Sequence, residues 1–400
     1  MSDVTIASFN VKNLIGPEQE YYEFQKYTAE EYAWKRDWLA DQVLTLDADV
    51  IGFQEVFEPE ALEDVMEEAD LRARALNDVA QPARGVGYGR KAIFRRLKLE
   101  GYADAQVAFA PNLNDGEPGQ RRPGLAVVSR FGFVGAPEVI QEIEPPLSIP
   151  FSALGGEAGA GSFTLKRLSR PILKVRIAMG GRVVTLFNCH LKSKLGEYDR
   201  PPGAEFAPAA DLTDYDPVGR ALGSLRAGLR RMGEAFVLRR LIVAELTAGN
   251  PVIVLGDFND HENAVSSEII AGEIPFKNYA WMLRHDAQHA GDRYSREEAR
   301  QIREDVEAMR LHSAESLFVQ KSLRDMVYTA TFGGKFESID RIYLSRHFLP
   351  GTPDTVGEMT YFSVLNDHLT DGSHPEAPYN KLASDHGQIM AHLRLRDGAA

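Results

Sequence analysis

Between Pro251 and Gly256 the chain carries an unbroken apolar row, Val-Ile-Val-Leu, which stops at Asp257, Asn259 and Asp260. A β-branched run bounded by proline and glycine predicts a strand buried on both faces. The same pattern, apolar residues ending in a polar tip, recurs at 4–10 with Asn10, at 49–56 with Glu55, and at 183–190 with His190. Strands are also predicted at 124–130, at 338–345 around Asp340, and at 384–395 behind Asp385 and His386. Residues 171–178 and 183–190 flank Gly180-Gly181, so they read as a hairpin with a primed turn. Helical patterns end near Leu46, open at Pro59 and extend to about residue 68, and cover 218–247 and 295–311. The stretch 137–161, rich in Pro, Gly and acids, reads as a surface excursion, and 194–217 as a Pro/Asp loop. Strands and helices alternate without a repeat or a separating linker. The expectation is one α/β domain over 1–396, with surface insertions near 137–161, 195–217 and 280–325.

Composition narrows the function without naming it. The 400 residues are 44% hydrophobic, enough for a large core, and no apolar run approaches a membrane span. The acidic start, Met-Ser-Asp-Val-Thr-Ile, runs straight into a strand pattern and lacks the basic and apolar regions of a secretory signal, so a cytoplasmic location is expected. The one cysteine, Cys189, excludes an intramolecular disulfide and a multi-cysteine zinc site, and its apolar surroundings predict a core residue. A net charge of -13 argues against broad electrostatic capture of nucleic acid but leaves room for a local basic groove.

The polar tips are Asn10, Glu55, His190, Asp257, Asn259, Asp340, Asp385 and His386. Asp257 and Asn259, two residues apart, can face the same side, and a carboxylate beside a carboxamide suits a phosphate site. An Asx turn after a core strand is the plain alternative, and each tip alone has such an explanation. Taken together, Ser-Phe-Asn10, Phe-Gln-Glu55, Asn188-Cys-His-Leu-Lys192, Gly256-Asp-Phe-Asn259, Ser338-Ile-Asp-Arg341 and Ser384-Asp-His386 follow the order and spacing of another group of proteins. This set resembles the endonuclease/exonuclease/phosphatase superfamily. Gly256-Asp-Phe-Asn-Asp260 also fits one element of the calcineurin-like phosphoesterases, whose further His-bearing motifs this chain lacks.

The resemblance implies a four-layer sandwich, two packed mixed β-sheets flanked by helices, and hydrolysis of a phosphoester by in-line attack of water. It implies that Asn10, Glu55 and Asp385 hold a divalent cation, and oxygen-only ligands favour Mg2+ or Mn2+. Asp257 would orient or deprotonate water, Asn259 would donate to the phosphate, His386 would sit beside it oriented by Asp340, and His190 would be a phosphate ligand or a proton donor to the leaving group. Arg170, with Lys192 and Lys194 after His190, would bind substrate, with Lys166 and Arg167 adding charge. Departures from the deoxyribonuclease branch are Phe57, where an arginine is expected, and the Arg121-Arg-Pro-Gly-Leu125 region, which offers no carboxylate to a second histidine. His261, His368 and His374 match no motif position and read as solvated loop residues. The first substrate expectation is nucleic acid, cleaved by an endonuclease or exonuclease, with no obligate protein partner. The alternatives are a small phosphorylated metabolite or lipid headgroup, and a catalytically silent binding domain of the same fold.

Overall fold

A computed structural model describes residues 2–21, 25–78, 99–112, 121–150, 161–196, 217–274, 282–319, 328–332, 335–352, 354–370 and 382–396. Its strands are β1 (Ser2–Leu14), β2 (Val50–Val56), β3 (Gln106–Ala110), β4 (Gly124–Ser129), β5 (Glu138–Pro150), β6 (Ser162–Met179), β7 (Arg182–His190), β8 (Val252–Asp257), β9 (Leu311–Ser313), β10 (Ala330–Phe332), β11 (Lys335–Glu337), β12 (Asp340–Ser345), β13 (Gly357–Leu365) and β14 (Gln388–Leu395). The helices are α1 (Ala29–Leu46), α2 (Pro59–Asp78), α3 (Pro217–Thr247), α4 (Val265–Ala271), α5 (Arg296–Met309) and α6 (Ala314–Val319). One sheet has the order β13-β14-β1-β2-β4-β3 and the other β5-β6-β7-β8-β12-β9. Each contains one parallel pair, β1 with β2 and β7 with β8, among otherwise antiparallel neighbours.

Period-two alternation builds the layers. On β2, Ile51 and Phe53 pack with Leu39, Val43, Leu62 and Val65 of α1 and α2, while Val50 points the other way into the core between the sheets. On β8, Ile253 and Leu255 join that central core, while Val252 and Val254 pack with Leu238 and Ile242 of α3. Helices, sheet, sheet and helices therefore form the four-layer α/β sandwich expected from the motifs. The sheets approach closely behind the polar tips: a Cβ on Gly52 would lie 2.2 Å from Leu255 Cδ1. There Gln54 Nε2 donates to Asn188 Oδ1 at 2.7 Å, and Asn188 Nδ2 donates to the carbonyls of Phe53 (3.0 Å) and Ala126 (2.8 Å). These buried amides satisfy each other across the interface and lock the relative position of the sheets.

The structure corrects several sequence expectations. Most of 137–161 is no excursion, because Glu138–Pro150 forms β5 at a sheet edge, where its prolines remove no ladder bond the sheet needs. Within 280–325, β9 pairs with β12 and so belongs to the second sheet. Helix α2 continues to Asp78, and β3, β13 and the β10–β11 hairpin have no sequence counterpart. Arg170 lies inside β6 instead of before it, where the pairing with β5 skips from Ile172 to Arg167 around Pro171.

Candidate active site

The rows of side chains between the sheets turn polar at one end. Ile6 and Ser8 lead to Asn10, Leu186 and Asn188 to His190, Ile253 and Leu255 to Asp257, and Leu344 and Ile342 to Asp340. Register makes His190, Asp257 and Asp340 direct neighbours across β7, β8 and β12. Asp257 Oδ2 is the hub: it faces Asn10 Nδ2 at 3.1 Å, His190 Nε2 at 3.2 Å, Asn259 Nδ2 at 3.3 Å and His386 Nε2 at 3.8 Å. Only glycine fits before it, since Gly256 has φ +143° and a Cβ would meet the Cys189 carbonyl oxygen at 1.9 Å. After it, Asn259 takes φ 52° and its N–H donates to Asp257 Oδ1 at 2.8 Å. The Asx turn and the polar site are thus the same structure.

Burial raises the Asp257 carboxyl to about 7, and the facing Asp340 adds to this against the opposing pull of His386. Burial alone would lower His386, but Asp340 and Asp257 outweigh it and push the imidazole well above its ordinary value. His386 Nδ1 donates to Asp340 Oδ2 at 2.8 Å, the pairing expected from the motifs. Its loop is pinned where Ser384 Oγ donates to the Asn10 carbonyl at 2.6 Å and accepts from His386 N at 3.0 Å. His190 goes the other way: burial, then Arg170, His386 and Lys192, hold it neutral, well below 6.5.

Glu55 reaches the site by a break in the strand. Phe53 packs toward the helices, so simple alternation would send Glu55 there too; a register shift and a φ of 65° bring its Oε1 to 3.2 Å from Asn10 Nδ2. Its Oε2 accepts from Asn13 N at 3.0 Å. A left-handed glutamate costs of order 1 kcal/mol or more and is typical of functional sites. Asp385 lies opposite, 3.5 Å from Lys12 Nζ. Sequence reasoning missed Lys35 of α1, fully buried, whose Nζ donates to the carbonyls of Val11 (3.0 Å) and Leu382 (3.2 Å) and so joins the segments after Asn10 and before Asp385. Thr329 was missed as well; its hydroxyl accepts from Ile339 N (3.0 Å) and Asp340 N (3.2 Å).

Two donor sets suit a cation. Glu55 offers oxygen beside the buried Asn13 Oδ1, which has no protein partner, while Asn10 turns its amide nitrogen toward the carboxylates and its oxygen accepts from Lys12 N at 3.0 Å. Asp257, Asp340 and His386 form a second set, with ligand atoms within 4.8 Å of one another, and Asp340 Oδ1 is buried without a hydrogen-bond partner. The residues present therefore fit a divalent cation.

The expected substrate cations are engaged by the chain itself. Lys194 pairs with Glu337 at 3.0 Å, Lys192 Nζ folds onto the Leu195 carbonyl at 3.0 Å, and Arg170 Nη1 donates to the Leu191 carbonyl at 3.3 Å. Phe57 is buried, 5.6 Å from the Tyr21 ring, and Arg121 lies 3.4 Å from Glu58. Of the three histidines read as solvated, His261 is exposed and His374 falls outside the described residues. His368 is a correction: it is partly buried, meets Trp38 edge-on at 5.1 Å and hydrogen-bonds the His386 carbonyl at 3.0 Å.

This sandwich with polar tips converging from both sheets defines a phosphoester hydrolase. The model of the endonuclease/exonuclease/phosphatase family matches residues 7–386, and the chain belongs to that family, whose members depend on divalent metal. Solved structures similar to it include a mannosyl-6-phosphatase from Bacteroides thetaiotaomicron, 14% identical, covering 98% of this chain and 100% of that one with a TM-score of 0.47. A truncated TDP2 from Caenorhabditis elegans is 13% identical, with 98% and 97% covered and a TM-score of 0.43. A family protein from Leptotrichia buccalis is 14% identical, with 98% and 100% covered and a TM-score of 0.43. No curated protein matches the sequence. Among the described residues no helix is long and apolar enough to cross a membrane.

Proposed function

We propose that the chain hydrolyses a phosphodiester by in-line attack of water, with Mg2+ or Mn2+ bound by Glu55 and Asp385 beside Asn10. The observation that carries this reading is the Asp257 hub, one carboxylate oxygen ringed by Asn10, His190, Asn259 and His386 from both sheets. A cation held by Glu55 and Asp385 would neutralise phosphoryl charge and make water more acidic. Asp257, with a carboxyl raised to about 7, is suited to hold and take a proton from the attacking water near neutrality. His386, charged and held by Asp340, stabilises the phosphoryl oxygens, and Asn259 donates to one of them. His190, neutral and buried, orients Asp257 from 3.2 Å. We also infer a cytoplasmic location, in keeping with the single buried thiol.

Two substrate readings rest on different observations. Arg170, Lys192 and Lys194 near the His190 tip support a nucleic acid. Their engagement by Leu191, Leu195 and Glu337 favours a compact phosphoester, a small metabolite or a headgroup, which needs fewer free cations. The test sets bis-(4-nitrophenyl) phosphate, single- and double-stranded DNA, RNA, a nucleotide monoester and an inositol phosphate side by side with added metal. A polymer substrate should lose turnover steeply between low and physiological salt, and a compact one should not. Turnover of monoesters alone sinks the nuclease reading. Absence of turnover on all six with either metal sinks the hydrolase.

A further inference from the structure

Helix α3 supplies none of the groups assigned to catalysis, yet two of its side chains, three residues apart, grip the segment beyond the His190 tip. Glu234 is 2% exposed; its Oε1 accepts from Ser169 N at 2.7 Å and its Oε2 from Lys192 N at 2.8 Å. Arg231 Nη1 donates to the carbonyls of Lys192 (3.2 Å) and Ser193 (3.4 Å), and its Nε lies 2.9 Å from Asp260 Oδ2. Both peptide groups of Lys192 are thereby held by opposite charges from one helix. The i, i+3 spacing places the two side chains on one face.

The partners of the pair are neighbours of the anion-side groups. Ser169 precedes Arg170, inside the stretch of β6 that skips its β5 partners. Lys192 follows His190 by two residues, and Asp260 follows Asn259. Arg170 Nη1 and Asn259 Nδ2 (3.0 Å) then meet at a single acceptor, the Leu191 carbonyl. A strand without ladder partners and two turns would otherwise set these positions loosely, whereas charge-assisted bonds to the backbone are short and strong. Accepting two N–H groups on two oxygens requires a carboxylate; a glutamine has one acceptor and would turn its amide against a donor.

We propose that Arg231 and Glu234 are positioning residues that set the spacing of Arg170, His190 and Asn259 for a phosphoryl group, a role that rests on the phosphoester reading above. A pair that only docked α3 onto the sheet would change stability and leave anion affinity alone. The experiment titrates the full chain with inorganic phosphate by calorimetry and measures kcat and KM on bis-(4-nitrophenyl) phosphate. Glu234→Gln should weaken phosphate about tenfold and raise KM in parallel, with kcat falling less than about threefold and the metal concentration for half-activation unchanged. Arg231→Lys, which keeps the charge and loses the fork, should weaken phosphate by about threefold and decides the matter alone if Glu234→Gln does not fold. Phosphate affinity and KM within about twofold of the unaltered chain in the folded variants overturn the pair, whatever the Tm. If the unaltered chain hydrolyses no phosphoester, the functional reading falls while the phosphate titration still decides the pair. No measurable phosphate binding by the unaltered chain overturns the role of the pair and leaves the hydrolase reading to the turnover assay.

Discussion

The two parallel strand pairs build their halves of the site by opposite means. At the tips of β7 and β8 the ladder runs to the last residue, His190 opposite Asp257, and Asp340 of β12 continues the row. At the tips of β1 and β2 the register breaks after Asn10 and Gln54, and Lys12, Asn13 and Glu55 all take positive φ. The regular half is anionic and buried, with Asp257 and Asp340 facing each other under one charged imidazole. The irregular half sets Glu55 and Asp385 among Lys12 and Lys35. A straight ladder can align proton-transfer groups because each strand holds its neighbour. The cation site proposed at Glu55 needs oxygens gathered by a bent backbone, and the bulge there supplies the bend.

The largest expected effect separates the halves by metal. Glu55→Gln should lower turnover roughly a thousandfold, about 4 kcal/mol of transition-state stabilisation, and much of the loss should be recovered at high Mg2+ or Mn2+. EDTA should abolish activity of the unaltered chain. Full activity after EDTA treatment breaks the division, because no half would then be a metal half.

Asp340→Asn should cost roughly a hundredfold, and added metal should not restore it, because what is lost is the charge orienting His386. Asp340 raises His386, so activity that needs the imidazolium is lost only as pH climbs through that raised value. In the variant the imidazole falls toward its ordinary value, and the alkaline limb of kcat/KM should move to lower pH. A decrease within about twofold, or an unmoved limb, would show the 2.8 Å contact to be idle.

The regular half was the more legible in sequence, for a physical reason. Strands buried on both faces read as continuous apolar runs, and the residue at which each run turns polar is the residue at the site: His190, Asp257 and Asp340 follow from this directly. Glu55 was marked by its motif, but alternation would have turned it away, and only the φ of 65° explains its arrival. Edge strands hid for the converse reason: β5 carries Pro145 and Pro146, and β13 mixes Thr360, Tyr361 and Ser363 with apolar residues, because each has one unpaired edge. Contacts distant in sequence left no local trace. Gln54 reaches Asn188, and Thr329 reaches the start of β12, through side-chain bonds that no periodicity encodes. His368 was misread because its loop is polar, while its ring lies against Trp38.

The smallest effect concerns Lys35, the buried cation behind the irregular half. Burial, then Lys12, lowers its ammonium from 10.5 to about 7, with Glu55 and Asp385 pulling the other way. Such a shift is worth on the order of 5 kcal/mol between the two protonation states. The sign follows from proton counting. Below pH 7 both folded and unfolded chains carry the charge, and the folded state bears the whole penalty of burying it. Between about 7 and 10.5 the unfolded chain binds more protons than the folded one, so this contribution makes stability rise with pH. Methionine at position 35 keeps the apolar stem and removes the titration, but leaves the Val11 and Leu382 carbonyls without their donor. Lys35→Met should therefore gain a few degrees in Tm over the unaltered chain at pH 6, and the advantage should shrink and reverse by pH 9.5. Thermal melts of both proteins across that range, without metal, decide it. Parallel curves would mean that Lys35 keeps its ordinary affinity for protons in the fold, and the electrostatic contrast between the two halves would then rest on Lys12 alone.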